Sequence, residues 1–200
     1  RNADYYRRDK LAKNALVIKE KPTDRILKTM MSDLRLKELP VHIECFDNSN
    51  ISGSDAVAAC VVFKKARPSK KDYRKYIIKT VQGPDDYASM KEVVKRRYIR
   101  MINENMPLPD LIIADGGIGQ MEVIRQVVED ELNLKIPIAG LAKNDRHKTR
   151  ELLFGFPPKE IGMKPNETLF KLLAFIQEEV HRFAITFHRD KRSKSQTASE

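Results

Sequence analysis

The sequence predicts an α/β fold: one mixed sheet, an antiparallel meander extended by parallel strands, flanked by helices. Three observations predict it. Apolar runs at 41–47, 56–63 and 73–81 follow one another too closely to admit helices between them, and the stretch 48–55, rich in Asn, Ser, Gly and Asp, reads as a turn joining the first two. Beyond that meander, strand-like runs at 111–115 and 138–142 alternate with segments of helical period. The composition, 41% hydrophobic and 33% charged over 200 residues, supplies one packed domain, or one domain with an arm.

Residues 1–39 read as a polar N-terminal arm or linker. Within it, 25–36 sets Ile26, Leu27, Met30, Met31 and Leu34 on one side of a helix that Pro40 ends, a connector expected to pack against the adjoining domain. The domain proper is expected over 40–194. Its first strand runs from Val41 to Asp47, its second is rich in Val and Ala, and its third alternates. Gly83-Pro84-Asp85-Asp86 then breaks the chain. A helix comes next, with Met90, Val93, Val94, Met101 and Ile102 facing inward and Lys91, Lys95, Arg96 and Arg100 outward, until Pro107 and Pro109. Strand 111–115 leads through Gly116-Gly117-Ile118-Gly119 into an amphipathic helix ending near Leu132. After strand 138–142, the stretch 144–166, with Pro157, Pro158 and Pro165, reads as irregular. A long helix over 167–188 carries the stripe Leu169, Leu172, Leu173, Ile176, Val180, Phe183 and Phe187; from Arg189 the chain is basic, and 195–200 is expected to be a frayed tail.

The formal net charge is +10, from 38 Lys and Arg against 28 Asp and Glu. That excess suits a polyanionic partner, because each cation placed on a phosphate releases condensed counterions. No run approaches the roughly 18 apolar residues of a membrane span, so no membrane partner is expected. The start is too polar for a signal peptide and lacks an initiator Met, which suggests a piece of a longer chain. Cys45 and Cys60 lie inside apolar runs without CxxC spacing, the pattern of reduced core thiols in a cytoplasmic protein.

Asp47 and Asp115 each end a strongly apolar strand. A carboxylate at the edge of a buried strand loses hydration and recovers that energy through hydrogen bonds, a cation or protonation. Two of them on adjacent strand ends would make an oxygen-rich site for Mg²⁺ or Mn²⁺; capping of a turn or helix is the alternative for each. The glycines after Asp115 fit neither phosphate-loop pattern: Glu122 stands where GxGxxG needs its last Gly, and no Gly-Lys-Ser/Thr follows. A tight turn presenting Asp115 is the stronger reading. His181 lies beside the apolar stripe of the last helix, sharing its side with Gln177 and His188, with Arg182 and Arg189 adjacent; this row is either a site wall or a solvated edge. Asp85 and Asp86 open a helix, as caps or as further acids. Residues 64–79 hold eight basic residues and one Asp with Tyr73 and Tyr76 between them, a solvated hairpin or a ribbon that tracks phosphates.

In combination these segments resemble a known family. Ile43-Glu44-Cys45-Phe46-Asp47-Asn48-Ser49-Asn50, Gly83-Pro84-Asp85-Asp86-Tyr87, Arg96-Arg97-Tyr98, Asp110-Leu111-Ile112-Ile113-Ala114-Asp115-Gly116-Gly117 and Glu179-Val180-His181-Arg182-Phe183 occur in order and at plausible spacing. They resemble the C-terminal endonuclease domain of the UvrC family, a component of the UvrABC excinuclease. The resemblance implies a ribonuclease H-like fold and a metal-dependent endonuclease that makes the 5′ incision in bacterial nucleotide excision repair. By motif position it implies Asp47, Asp115 and His181 as the catalytic and metal-binding centre, and Asp86 as a further acid. It implies Mg²⁺ or Mn²⁺ as cofactor, and damaged double-stranded DNA and a UvrB–DNA complex as partners. Lys64, Lys65, Arg74, Lys75, Arg96, Arg97, Arg182 and Arg189 are expected to meet the nucleic acid. Two departures stand out: Ile118 where the family commonly has Lys, which removes one possible phosphate contact, and Asn48 where Ile is frequent. A non-catalytic nucleic-acid-binding module and a nucleotide-binding regulator are the competing classes.

Overall fold

The computed structural model describes residues 7, 21–49, 56–81, 85–143, 150–164 and 167–197; the side chains of 49, 150 and 187–197 fall outside that description. Helix α1 (Pro22–Asp33) begins with Pro at its first turn, where the missing N–H costs nothing, and ends as Arg35 takes a left-handed φ of 51°. Strands β1 (His42–Ser49) and β2 (Val57–Lys64) pair antiparallel. Against the outer edge of β2 lie β3 (Arg67–Pro68) and β4 (Arg74–Ile77), separated by a 3₁₀ turn at Lys70–Asp72. Helix α2 (Asp86–Asn103) is capped by Asp85, whose carboxylate accepts from the Ala88 N–H at 3.0 Å. Strand β5 (Leu111–Ala114) runs parallel to β1; helix α3 (Ile118–Arg125), widening into a π turn over Gln126–Glu131, crosses back to β6 (Ile138–Lys143), parallel to β5. A hairpin of β7 (Arg150–Phe154) and β8 (Lys159–Ile161) continues the sheet antiparallel from β6. Helix α4 (Thr168–Thr197) closes the described chain.

The expected meander and the parallel strands form one sheet of eight strands in the order β3-β2-β1-β5-β6-β7-β8, with β4 on β2. Period-2 alternation divides its residues between two cores. Ile43, Cys45, Ala59, Val61, Leu111 and Ile113 face α1 and α4, where they meet Met30, Leu34, Leu172, Leu173, Ile176 and Val180. Phe46, Ala58, Cys60, Ile112 and Ala114 face α2 and α3, where they meet Met90, Val93, Val94, Tyr98, Met121 and Ile124. Both cysteines are buried free thiols, and burial pushes both up.

Three sequence expectations change. The stretch 144–166 is not wholly irregular, since it holds β7 and β8; the run Glu151-Leu152-Leu153-Phe154 is short and Pro157 and Pro158 sit in the intervening turn, so the prolines dominated the signal. The third strand shrinks from 73–81 to Arg74–Ile77. The last helix extends beyond 188 to Thr197, because residues 189–197 contain no Gly or Pro and are rich in good helix formers.

Candidate metal centre

Strand periodicity and register assemble this site. Asp47 continues the alternation of Ile43 and Cys45, and Asp115 that of Leu111 and Ile113, so both carboxylates leave the sheet on the α4 face. β1 and β5 are in parallel register up to Phe46 opposite Ala114, and the Asp115 N–H donates to the Phe46 carbonyl at 2.9 Å. The two acids therefore stand side by side at the carboxyl ends of neighbouring strands, where open α/β sheets place their functional groups. From α4, His181 reaches between them: Nδ1 lies 2.9 Å from Asp47 Oδ2, and Nε2 lies 2.9 Å from Asp115 Oδ2. One turn earlier, Gln177 Nε2 donates to Asp115 Oδ1 at 2.6 Å. One ligand atom from each of Asp47, Asp115 and His181 lies within 4.8 Å of the others.

The electrostatics explain why the imidazole sits there. Its hydrogen bonds to Asp115 and Asp47 raise the His181 pKa from 6.5 to about 10. Burial pushes the Asp47 carboxyl up, the nearby Asp115 charge pushes it further, and the His181 hydrogen bond pulls it down. Asp47 is only 7% exposed, whereas the His181 side chain is 40% exposed. A protonated imidazole donating from both nitrogens thus supplies the positive charge that two crowded carboxylates require. A divalent cation answers the same need, and two carboxylates with one imidazole suit a hard ion such as Mg²⁺ or Mn²⁺.

Comparison with known proteins shows the family. A model of the UvrC RNAse H endonuclease domain matches residues 31–185. UvrABC system protein C of Bacteroides thetaiotaomicron is 67% identical over 198 residues, covering 99% of this chain and 32% of its own length. The chain belongs to the UvrC RNase H endonuclease domain family. UvrABC system protein C of Streptococcus uberis is 60% identical over 161 residues, covering 80% of this chain and 27% of its own length. The chain thus spans about a third or less of the length of these curated relatives. The catalytic domain of human Endonuclease V resembles it with a TM-score of 0.36 and 14% identity, over 89% of this chain and 99% of that one, a likeness too slight to argue from. As in the expectation, the fold of this UvrC domain is ribonuclease H-like, a mixed sheet flanked by helices.

The other expected site residues scatter over the UvrC domain. Asp86 is the exposed first residue of α2; its carbonyl accepts from Asn48 Nδ2 at 2.7 Å, which ties the helix start to the residue after Asp47, but its carboxylate is not in the three-residue group. Lys75 stands in a row with Ala59 and Asp47 across β4, β2 and β1, and its Nζ lies 4.4 Å from the centre of the Phe183 ring. Strand spacing places it roughly 10 Å from Asp47 on the same face. Arg182 is exposed and pairs with Glu179 at 2.9 Å. Lys64 and Lys65 lie at the other end of β2, opposite His42, and Lys64 pairs with Asp72 at 3.0 Å. Arg74 is exposed beside them and donates to the carbonyls of Lys71 and Tyr73. Arg96 lies on α2, across the sheet from α4, bound to Glu92 and the Ile77 carbonyl. The side chains of His188 and Arg189 lie outside the described residues.

Arg97 is a correction. It is buried, 7% exposed, and its guanidinium donates from Nε and Nη2 to the two oxygens of Glu44, each at 2.7 Å, so the structure gives its charge to an internal pair. Tyr98 also donates to Glu44, at 2.9 Å, and His42 Nε2 lies 2.8 Å from it. Sequence reasoning missed this network; its signal was an acid at the centre of the apolar run Ile43-Glu44-Cys45-Phe46, which demands a buried cation. A second unforeseen bond runs from the Tyr73 hydroxyl to Glu179 Oε2 at 2.8 Å, bracing the turn of α4 that carries His181 against the β4 edge.

Proposed function

We propose that this domain hydrolyses DNA phosphodiesters with one divalent cation, Mg²⁺ or Mn²⁺, held by Asp47, Asp115 and His181. Within a longer UvrC protein it makes the 5′ incision beside a lesion in nucleotide excision repair, on damaged duplex DNA presented by UvrB. The observation that carries this reading is the convergence of two strand-end carboxylates and one imidazole within 4.8 Å, in a chain whose family is an endonuclease domain.

When bound, the cation lowers the pKa of a water and neutralises charge that builds on the phosphoryl oxygens. Asp47 and Asp115 fix the position of that charge, because both are anchored on β-strands rather than on loops. His181 is more exposed than either acid and stands at the rim, where one of its ring nitrogens would ligate the cation or exchange a proton with substrate. Asp86, whose backbone carbonyl accepts from the Asn48 side chain, would serve as a further acid. Lys75 and Arg182, near the same face, serve as phosphate contacts that position the strand, and Lys64, Lys65, Arg74 and Arg96 as more distant ones.

The test is incision of a lesion-bearing duplex by a longer UvrC protein carrying this domain, with UvrB, in Mn²⁺ or Mg²⁺. Asp47→Ala and Asp115→Ala are expected to abolish the 5′ cut while leaving DNA binding largely intact. Retained incision by either variant, or equal incision in excess EDTA, overturns the reading in favour of a non-catalytic nucleic-acid-binding module.

A further inference from the structure

Gln177 is an unusual residue to find where it is. It is 1% exposed on a helix face otherwise lined by Leu173, Ile176 and Val180. Its Nε2 donates to Asp115 Oδ1 at 2.6 Å, and that bond settles the orientation of the amide, since only the nitrogen side can face a carboxylate. Among the described residues, its Oε1 is buried and has no hydrogen-bond partner. An amide oxygen in that state is a desolvation cost, so a merely structural role would be better served by an apolar side chain.

We propose that Gln177 is a positioning residue for Asp115. By holding Oδ1 it locks the carboxylate in the rotamer that turns Oδ2 towards His181 and the cation site, and its own Oε1 is kept to accept from a water ordered beside that site. Gln177 and His181 are four residues apart on α4, so one rigid helix sets both the hydrogen-bond clamp and the imidazole. The inference rests on the proposed cation site. It adds a residue behind the three ligands, of the kind that fixes ligand orientation at metal centres.

The direct test is Mn²⁺ affinity, by calorimetry, of this chain with Gln177 intact and with Gln177→Met, which keeps the length and loses donor and acceptor. The expected result is a fall in affinity of about 10-fold or more, typical for loss of an outer partner, with the secondary structure retained. Equal affinity within twofold overturns the assignment of Gln177 while leaving the cation reading intact. No Mn²⁺ binding by the unaltered chain overturns both. A second measurement needs no folded variant at this position: the side-chain amide protons of Gln177 in the unaltered protein should shift on titration with diamagnetic Mg²⁺, and Asp115→Asn should remove that shift. Signals that stay still through saturation of Asp115 overturn the proposal. In incision assays a positioning role lowers kcat and leaves KM for DNA within about twofold, because Gln177 makes no contact with the strand.

Discussion

Glu44 and Asp47 lie three residues apart on one strand and on opposite faces of one sheet, and each carries an acid into a place with little water. Glu44 is fully enclosed, and Arg97, Tyr98 and His42 surround its two oxygens. Asp47 stands at the strand end beside a second acid, answered by a single imidazole that is itself half exposed. The first cluster contains its own permanent cation, and the second contains only a titratable one. A buried acid is therefore not a functional site by itself. What separates scaffold from site is whether the protein has supplied the countercharge permanently or left it exchangeable.

Breaking the two clusters should have opposite consequences. Glu44→Ala strands a buried guanidinium, and about 3–5 kcal/mol of stability should be lost, read from the denaturant midpoint. Asp47→Asn or Asp115→Asn removes one of two crowded charges together with one partner of His181, so in EDTA near neutral pH it should cost less stability than Glu44→Ala, although incision falls by about 10²–10³-fold or more. A large destabilisation by Asp115→Asn would place that carboxylate with the scaffold instead.

Adding a cation sharpens the contrast. Mn²⁺ at 100 times its dissociation constant should raise stability by about 2.7 kcal/mol in the unaltered chain. The rise should vanish in Asp115→Asn and persist in Tyr98→Phe, which removes only the hydroxyl that donates to Glu44. An equal rise in all three would mean that the ion binds elsewhere.

The clusters also answer pH in opposite directions. Burial pushes Glu44 up, but hydrogen bonds and charge from Arg97 and His42 outweigh it and bring its pKa from 4.5 to about 2. Its folded value lies below its unfolded one, so its contribution is complete above about 4.5 and is lost as pH falls towards about 2. His181 is raised from 6.5 to about 10, so its contribution is complete below about 6.5 and is lost as pH rises through about 10. Denaturant midpoints measured across pH in EDTA should therefore fall on both sides. Glu44→Gln should flatten the acid limb and Asp115→Asn the alkaline limb; the reverse pattern would contradict the assignment of the two clusters.

The legible parts of this molecule were those governed by local period. Short apolar runs in 41–47, 56–63 and 111–115 placed the central strands, and the strand period of two carries Asp47 and Asp115 to one face of the sheet. The stripe from Leu169 to Val180 placed the helix that brings His181 to them. Partnerships across the fold were not legible. Arg97 sits in a basic row, Lys95-Arg96-Arg97, and only the packing of α2 on the sheet turns one of the three inward onto Glu44. The hairpin Arg150–Phe154 with Lys159–Ile161 escaped because strands this short, paired at a sheet edge, leave too little period to outweigh two prolines. Gln177 looked like one polar residue in a mixed row; its bond to Asp115 exists only once β5 and α4 are packed together.

The central claim is that Asp47, Asp115 and His181 jointly hold one divalent cation. Anomalous scattering from crystals of this chain soaked in Mn²⁺ tests it most directly. One full-occupancy peak within bonding distance of a carboxylate oxygen from each acid and a nitrogen of His181 is the expected result, with any second ion weaker because the imidazole leaves the site less anionic than three carboxylates would. No peak among the three side chains would contradict the claim itself, and two full-occupancy ions would contradict the single-ion form of it.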